Sequence, residues 1–444
     1  MFPPETKVDR VSRFWPFPNL FYGWAVVWAG LVVSIAQAPM YGPVVSIFVK
    51  PIADETGWSR ATIALGFTIG SIIGTFAGAP IGMILDRFGS RGVVTFAGVV
   101  IAGSLVGMAT MTEPWHLWVF MGAGRGIAMS GVQMGTMVAV TNWFIVKRGR
   151  ASAIPSFGVR AGQGIVPLLI LPVILGYGWR EAYWALAGGA FLFVALPAWA
   201  YLRRRPEDYG LLPDGAEHPT GGGTPRRRVL DGGEASWTLA AAMRTKAFWL
   251  LIIATATGMF GQTAANFHAV ANFLDRGMSE GMAFTIPAVF AGVSAVSTFG
   301  WGIAIERTSA RAALIVVAVL NTLGMLIIIW AVSYPAAALY GAVAGFAGGG
   351  FLVAQRLIWA DYFGRFSVGT IRGGASLFIG LVGPMGPLVA GVLFESTGTY
   401  TIAFTISAVL FSIGLVATVF AKPPVPQSLT NRKGTRQYWR VPLR

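Results

Sequence analysis

The chain has 444 residues, of which 55% are hydrophobic and only 11% charged, and its mean hydropathy is +0.65. A soluble domain carries about 25% charged residues, so a water-soluble enzyme is excluded and a membrane protein is indicated. No cysteine occurs, which excludes disulfides and thiolate metal sites, and the net charge of +15 has to be judged by where the charges fall.

The opening residues, MFPPETKVDR, lack the apolar core and cleavage site of a signal peptide, so the first helix is expected to act as an uncleaved insertion signal. Apolar runs near the ~20 residues needed to cross a bilayer then recur at 22–48, 61–85, 92–111, 116–142, 151–175 and 182–202. The widest polar gap follows at 203–246, with RRRPEDYGLLPDG and HPTGGGTPRRR, a composition that reads as a flexible linker. Six more runs lie at 247–273, 282–305, 311–331, 336–360, 371–394 and 400–421. Backbone amides in hydrocarbon must be satisfied internally, which predicts helices and not open sheet. The expected organisation is a six-helix bundle over 1–202, a linker over 203–246, a second six-helix bundle over 247–421 and a basic tail over 422–444.

With the N-terminus cytoplasmic, 26 of the 33 Lys and Arg residues fall in cytoplasmic segments. Lys50, Arg60, Arg180 and Arg276 fall outside, and Arg125, Arg160 and Arg356 lie within helices. Such a bias predicts that both termini are cytoplasmic. The basic balance is therefore topology, with lipid head-group contact, and not a nucleic-acid surface.

An internal repeat is visible at an offset of about 220 residues. GMILDR (82–87) matches GIAIER (302–307), and Arg91 matches Arg311. NWF (142–144) matches DYF (361–363), VPLL (166–169) matches GPLV (386–389), and YGWREAYW (177–184) matches TGTYTIAF (397–404). Two related halves around a linker suit a machine that rocks about a midplane site. Here the residues resemble a known family. GMILDRFGSR (82–91), between the second and third helices, is similar to the major facilitator superfamily signature, with a degenerate echo at 302–311. FYGW (21–24), NWFIVKRGRASA (142–153), RPEDYGLLPDG (205–215) and ADYFGRFSVGTIRG (360–373) resemble the bacterial monocarboxylate and oxalate/formate branch. The resemblance implies an all-α membrane protein of twelve transmembrane helices in two pseudo-symmetric six-helix bundles, with helices 1, 4, 7 and 10 lining a central cavity. The sequence departs from that branch, whose basic residues stand in helices 8 and 11, since neither helix is expected to hold one in its core. It also lacks the helix-1 lysine and helix-8 aspartate of animal monocarboxylate carriers, so substrate and coupling ion do not carry over.

All 18 Asp and Glu residues fall in connecting segments or at helix ends, which leaves the three intramembrane arginines without an accompanying acid. A guanidinium stays charged and is costly in hydrocarbon unless it faces a cavity or a partner. The missing negative charge is thus expected to arrive with a ligand. At ~1.5 Å per residue, Arg125 and Arg160 fall near the midplane, and Arg356 nearer the cytoplasmic side. Each has a plainer reading: a bond from Arg125 to a neighbouring helix's carbonyls, a place behind the cavity wall for Arg160, and a cytoplasmic gate role for Arg356. Gln355, beside Arg356, adds hydrogen-bonding groups. His268 in the outer third of helix 7 is read either as a packing histidine or as a ligand- or proton-handling one, with Gln262, Asn266 and Asn272 on the same helix. Tyr41, Gln37 and Gln133 are further candidate donors to an anion. Asp86, Arg87 and Arg91 are read as cytoplasmic gate residues, with Glu306, Arg307 and Asp361 as their counterparts in the second half.

The expected function is secondary transport of a small organic anion, foremost a monocarboxylate, by anion exchange or proton-coupled symport. The setting is the plasma membrane, the inner one of a bacterium. Partners are the anionic substrate, protons and membrane lipids; no metal, cofactor, nucleic acid or obligatory protein partner is expected. No Walker A lysine motif occurs, and no nucleophile–base pair points to an enzyme. Efflux of amphipathic drugs and a non-transporting sensor of the same fold remain the alternatives.

Overall fold

The computed structural model describes residues 21–144, 147–215, 237–363 and 368–424. Helices stand at all twelve expected places. Among the described residues, ten stretches are long and apolar enough to cross a membrane. Helices 1 and 4 fall outside these ten, and helix 1 is interrupted for a reason visible in its sequence. Helix 1 runs Gly23–Ala36, turns through the short Ala38–Met40, and resumes as Gly42–Thr56. Pro39 and Pro43 flank that turn, where Tyr41 is extended at φ −105° and ψ 148°, because proline can neither donate to nor fit inside the preceding turn. Helix 4 runs Pro114–Ile127, widens into a π turn over Ala128–Val132, and continues as Gln133–Trp143. Helices 2, 3 and 5 are Arg60–Phe88, Ser90–Ala109 and Arg148–Tyr177. Helix 6 comprises Trp179–Ala190, a π turn and Leu196–Tyr201.

In the second half, helix 7 is Lys246–Asp275, helix 8 Ile286–Arg307, helix 9 Ala310–Trp330, helix 10 Tyr334–Phe363 and helix 12 Thr401–Phe420. Helix 11 breaks between Val368–Val382 and Met385–Thr397 at the GPMGP run. Pro387 lacks the amide that would close the turn on Gly383, and the Thr263 hydroxyl donates to that carbonyl at 2.6 Å.

Packing repeats the sequence symmetry. Helix 4 packs on helices 2 and 3, as helix 10 packs on 8 and 9; helix 1 packs on helix 5, as helix 7 packs on 11. The halves then meet through two equivalent pairs, helix 2 with helix 11 and helix 5 with helix 8. Small residues permit both contacts. A Cβ on Gly391 would stand 2.7 Å from the Ala61 Cα, and one on Gly164 3.0 Å from the Ala291 Cβ. Helix 1 meets helix 7 at Gly42 and Asn266, and the Phe67 and Phe267 rings cross edge to face at 5.0 Å. The protein is an all-α membrane protein of two pseudo-symmetric bundles.

The two ends of the bundle differ. At the end remote from the linker the halves are locked: Arg60 of helix 2 forms a two-pronged pair with Asp275 of helix 7. The Arg60 amide also donates to Glu395 at 2.7 Å. At the linker end no ion pair joins the halves among the described residues. Arg91 donates to the Trp199 carbonyl at 2.8 Å and Arg311 to those of Thr418 and Val419, each within its own half. Arg87, Arg307 and Asp361 are exposed, and Asp361 lies against the Ala310 amide at the start of helix 9. The Asp86 and Glu306 side chains lie outside the described residues. The ion pairing that joins the halves among the described residues thus lies at the end remote from the linker, which is shut.

Candidate functional site

The three intramembrane arginines occupy three different settings. Arg125 is buried, with 6% exposure, and its partners come from the protein. Its Nε donates to Ser71 Oγ at 2.6 Å and its Nη1 to the Met40 carbonyl. The guanidinium lies 3.5 Å from the centre of the Phe67 ring and 6.0 Å from that of Tyr41. Met40 stands at the break in helix 1, where the Val44 amide turns to Tyr41 instead. A carbonyl freed at membrane depth needs a new donor, and Arg125 supplies it.

Arg160 is half-buried. Its Nη1 donates to Gln163 Oε1 at 3.2 Å, and Phe290 of the opposite half lies 6.0 Å away. Gly158 and Gly162 let helix 5 approach helix 1, since a Cβ there would meet the Leu31 and Ile35 carbonyls at 2.8 and 2.5 Å. Arg356 is exposed on helix 10, with Gln355 half-buried beside it. It is near enough to Arg160 and to Arg372 for the charges to repel. Among the described residues none of Arg125, Arg160, Arg356 and Arg372 is in an ion pair with a carboxylate.

Arg372 is missed by the sequence reading, which counts it among the cytoplasmic loop charges. Helix 11 begins at Val368, before its apolar run, so Arg372 sits inside the helix and beside Arg356. The GG pair at 373–374 masks this start, because glycine weakens any helical pattern.

Several buried polar atoms of the candidate residues have no hydrogen-bond partner within the protein. They include the Tyr41 hydroxyl, both amide atoms of Gln37, and Gln262 Nε2. Buried polar groups are nearly always hydrogen-bonded, so these atoms are free to take a water or a ligand group as partner. Tyr41 feels the charges of both Arg125 and Arg160, and it is the unwound turn of helix 1 that brings its hydroxyl to them. Asn266 lies at the contact with Gly42. Gln133 is exposed on helix 4.

His268 belongs elsewhere. It is fully buried, bonded through Nδ1 to the Tyr400 hydroxyl at 3.0 Å and through Nε2 to the Pro387 carbonyl at 2.8 Å. It joins the lock around Arg60 and not the arginine cluster. That lock is the second feature missed from sequence, where Arg60 reads as an ordinary loop charge next to a predicted helix start at 61.

Two pseudo-symmetric helical bundles that meet through equivalent helix pairs and lock together at one end define the class of membrane carriers. The Major Facilitator Superfamily model matches residues 27–331 and 269–444, and the chain belongs to that family. It is 26% identical over 285 residues to the oxalate:formate antiporter of Oxalobacter formigenes, a match that covers 62% of this chain and 61% of that one. It is 24% identical over 403 residues to a probable sulfoacetate transporter of Cupriavidus necator, covering 85% of this chain and 89% of that one. Among solved structures it resembles the nucleoside transporter NupG, with a TM-score of 0.66 at 13% identity, covering 89% of this chain and 98% of that one. It also resembles a bacterial homologue of the human lysosomal transporter Spinster, with a TM-score of 0.61 at 18% identity, covering 90% and 93%. Both structures share the fold. Transport, as opposed to catalysis, is the activity of these relatives.

Proposed function

We propose that the chain is a secondary transporter of small organic anions, foremost monocarboxylates, working by alternating access in a bacterial inner membrane with the linker end cytoplasmic. The observation that carries this reading is the group Arg160, Arg356 and Arg372, drawn from both halves and lacking any carboxylate partner among the described residues. An anion between them supplies the absent charge, and the planar fork of arginine suits a carboxylate. The Tyr41 hydroxyl and the amides of Gln37 and Gln262 then serve as orienting donors. The names of the two relatives, each an organic acid carrier, support the same substrate class. Arg125 keeps its place as the residue that holds helix 1 bent around the site.

The test is a thermal-stability panel on purified protein, with short carboxylates, organic cations and neutral solutes compared at equal ionic strength. A ligand that binds only the folded form raises apparent stability by mass action. Saturable stabilisation by carboxylates alone supports the reading. Stabilisation by lipophilic cations alone moves the protein to drug efflux.

A further inference from the structure

His268 lies fully buried within helix 7, and the arginine cluster leaves it unused. Its hydrogen bonds determine its tautomer. The Pro387 carbonyl can only accept, so Nε2 carries the proton and donates at 2.8 Å. Nδ1 is then an acceptor, and the Tyr400 hydroxyl donates to it at 3.0 Å. The same hydroxyl oxygen accepts from Arg60 Nη1 at 2.8 Å. Arg60 reaches it from the opposite half, 7% exposed, with its guanidinium 4.0 Å from the centre of the Phe394 ring and paired with Asp275. One continuous chain of hydrogen bonds thus runs from Asp275 through Arg60 and Tyr400 to His268 and Pro387. Its Arg60 link crosses between the halves at the end remote from the linker.

We propose that His268 is a proton-binding site whose occupancy and the docking of Arg60 oppose one another, so that a proton taken up from the side remote from the linker opens that end. In the step, Nδ1 gains a proton from water and the imidazole becomes imidazolium. The Tyr400 hydroxyl loses its acceptor and must turn its proton elsewhere. Two cations then flank one hydroxyl oxygen in a site with little water to screen them, where repulsion is far stronger than in bulk. Withdrawal of Arg60 relieves it, and Asp275 and Glu395 are left as the negative groups nearest the new charge. Among the described residues, Arg60 is the charge that bears directly on the imidazole. Asp275 and Glu395 act on Tyr400, and Lys50, 3.9 Å from Asp275, moderates that carboxylate. In this geometry a transporter without an intramembrane carboxylate still couples a proton to its gate. The inference rests on the alternating-access part of the proposed function and not on the substrate class.

The experiment needs no substrate, so failure of the anion assignment leaves it intact. The chain is free of cysteine, and spin labels on Tyr177→Cys and Ser396→Cys, exposed positions on opposite halves at the locked end, report its width by electron–electron resonance. The long-distance population should rise at least about fivefold from pH 8 to pH 5.5, the lower end of typical coupling between sites. The response should vanish in His268→Gln, and Arg60→Gln should be wide at both pH values. Tyr400→Phe keeps the ring packing and guards against misfolding of the other variants; it should shift the response to higher pH, because Nδ1 no longer holds a donor. A response that survives His268→Gln, no response in the parent, or a narrow gate in Arg60→Gln overturns the proposal.

Discussion

Arg125, Arg160 and Arg356 carry the same group on apolar helices, yet their partners assign them different work. Arg125 spends its donors on Ser71 and the Met40 carbonyl, whereas Arg356 is exposed beside other cations. Substituting each therefore has a distinct signature. Arg125→Gln orphans a buried carbonyl, which costs about 1–3 kcal/mol, and should lower the thermal stability of the ligand-free protein. Arg356→Gln should leave ligand-free stability unchanged or raise it by relieving repulsion with Arg372, while nearly abolishing transport. Arg356→Lys keeps the charge but loses the two-pronged geometry, so transport should weaken without disappearing. Purified variants compared by unfolding and by uptake separate the two roles; a destabilised Arg356→Gln with normal uptake contradicts the assignment. The presence of charged residues in apolar runs was legible in the sequence because charge and hydropathy are read per residue. Their partners were not, since Met40 and Ser71 come from helices 54 or more positions away. Arg372 was lost for a different reason: a helix that begins before its apolar run hides the charge in what looks like a loop.

At the scale of elements, the breaks matter more than the helices. The prolines of helices 1 and 11 were visible as bends from chemistry alone, but sequence does not say which carbonyl a bend frees or what accepts the duty of bonding it. In helix 1 that duty falls to Arg125, and in helix 11 to Thr263. The π turn of helix 4 had no sequence signal beyond its glycines. Close approach between the halves is also an element property. A methyl at Gly391 would stand 2.7 and 2.8 Å from the Ala61 Cα and nitrogen, backbone atoms that cannot turn aside. Gly391→Ala should therefore part helices 2 and 11 and favour the form open at the Arg60 end. The Tyr177/Ser396 label pair reads this directly, with a longer mean distance expected at neutral pH. An unchanged distance would mean that the contact is not what holds that end shut.

For the whole molecule, the twofold repeat in the sequence predicted the pairing of helices, because equivalent sequences bury equivalent faces. Helix 2 meeting 11, and helix 5 meeting 8, follows from that symmetry. Which end is closed did not follow, since one sequence serves every form of the cycle; among the described residues the packing of Arg60 against Asp275, Phe394 and Tyr400 marks the shut end. The charge balance of the cycle is likewise a property of the whole. In the proposed cycle an empty site holds excess positive charge, and carrying it across a low-dielectric barrier is unfavourable; an anion that neutralises it should let the loaded carrier reorient more readily. The central claim, an anion carrier whose arginines have no acid of their own, is tested most directly by counterflow in proteoliposomes. Vesicles preloaded with an unlabelled short carboxylate should accumulate the labelled one faster than empty vesicles, and the advantage should be lost in Arg160→Gln and Arg356→Gln. Equal rates in preloaded and empty vesicles, or uptake unaffected by both substitutions, would contradict it.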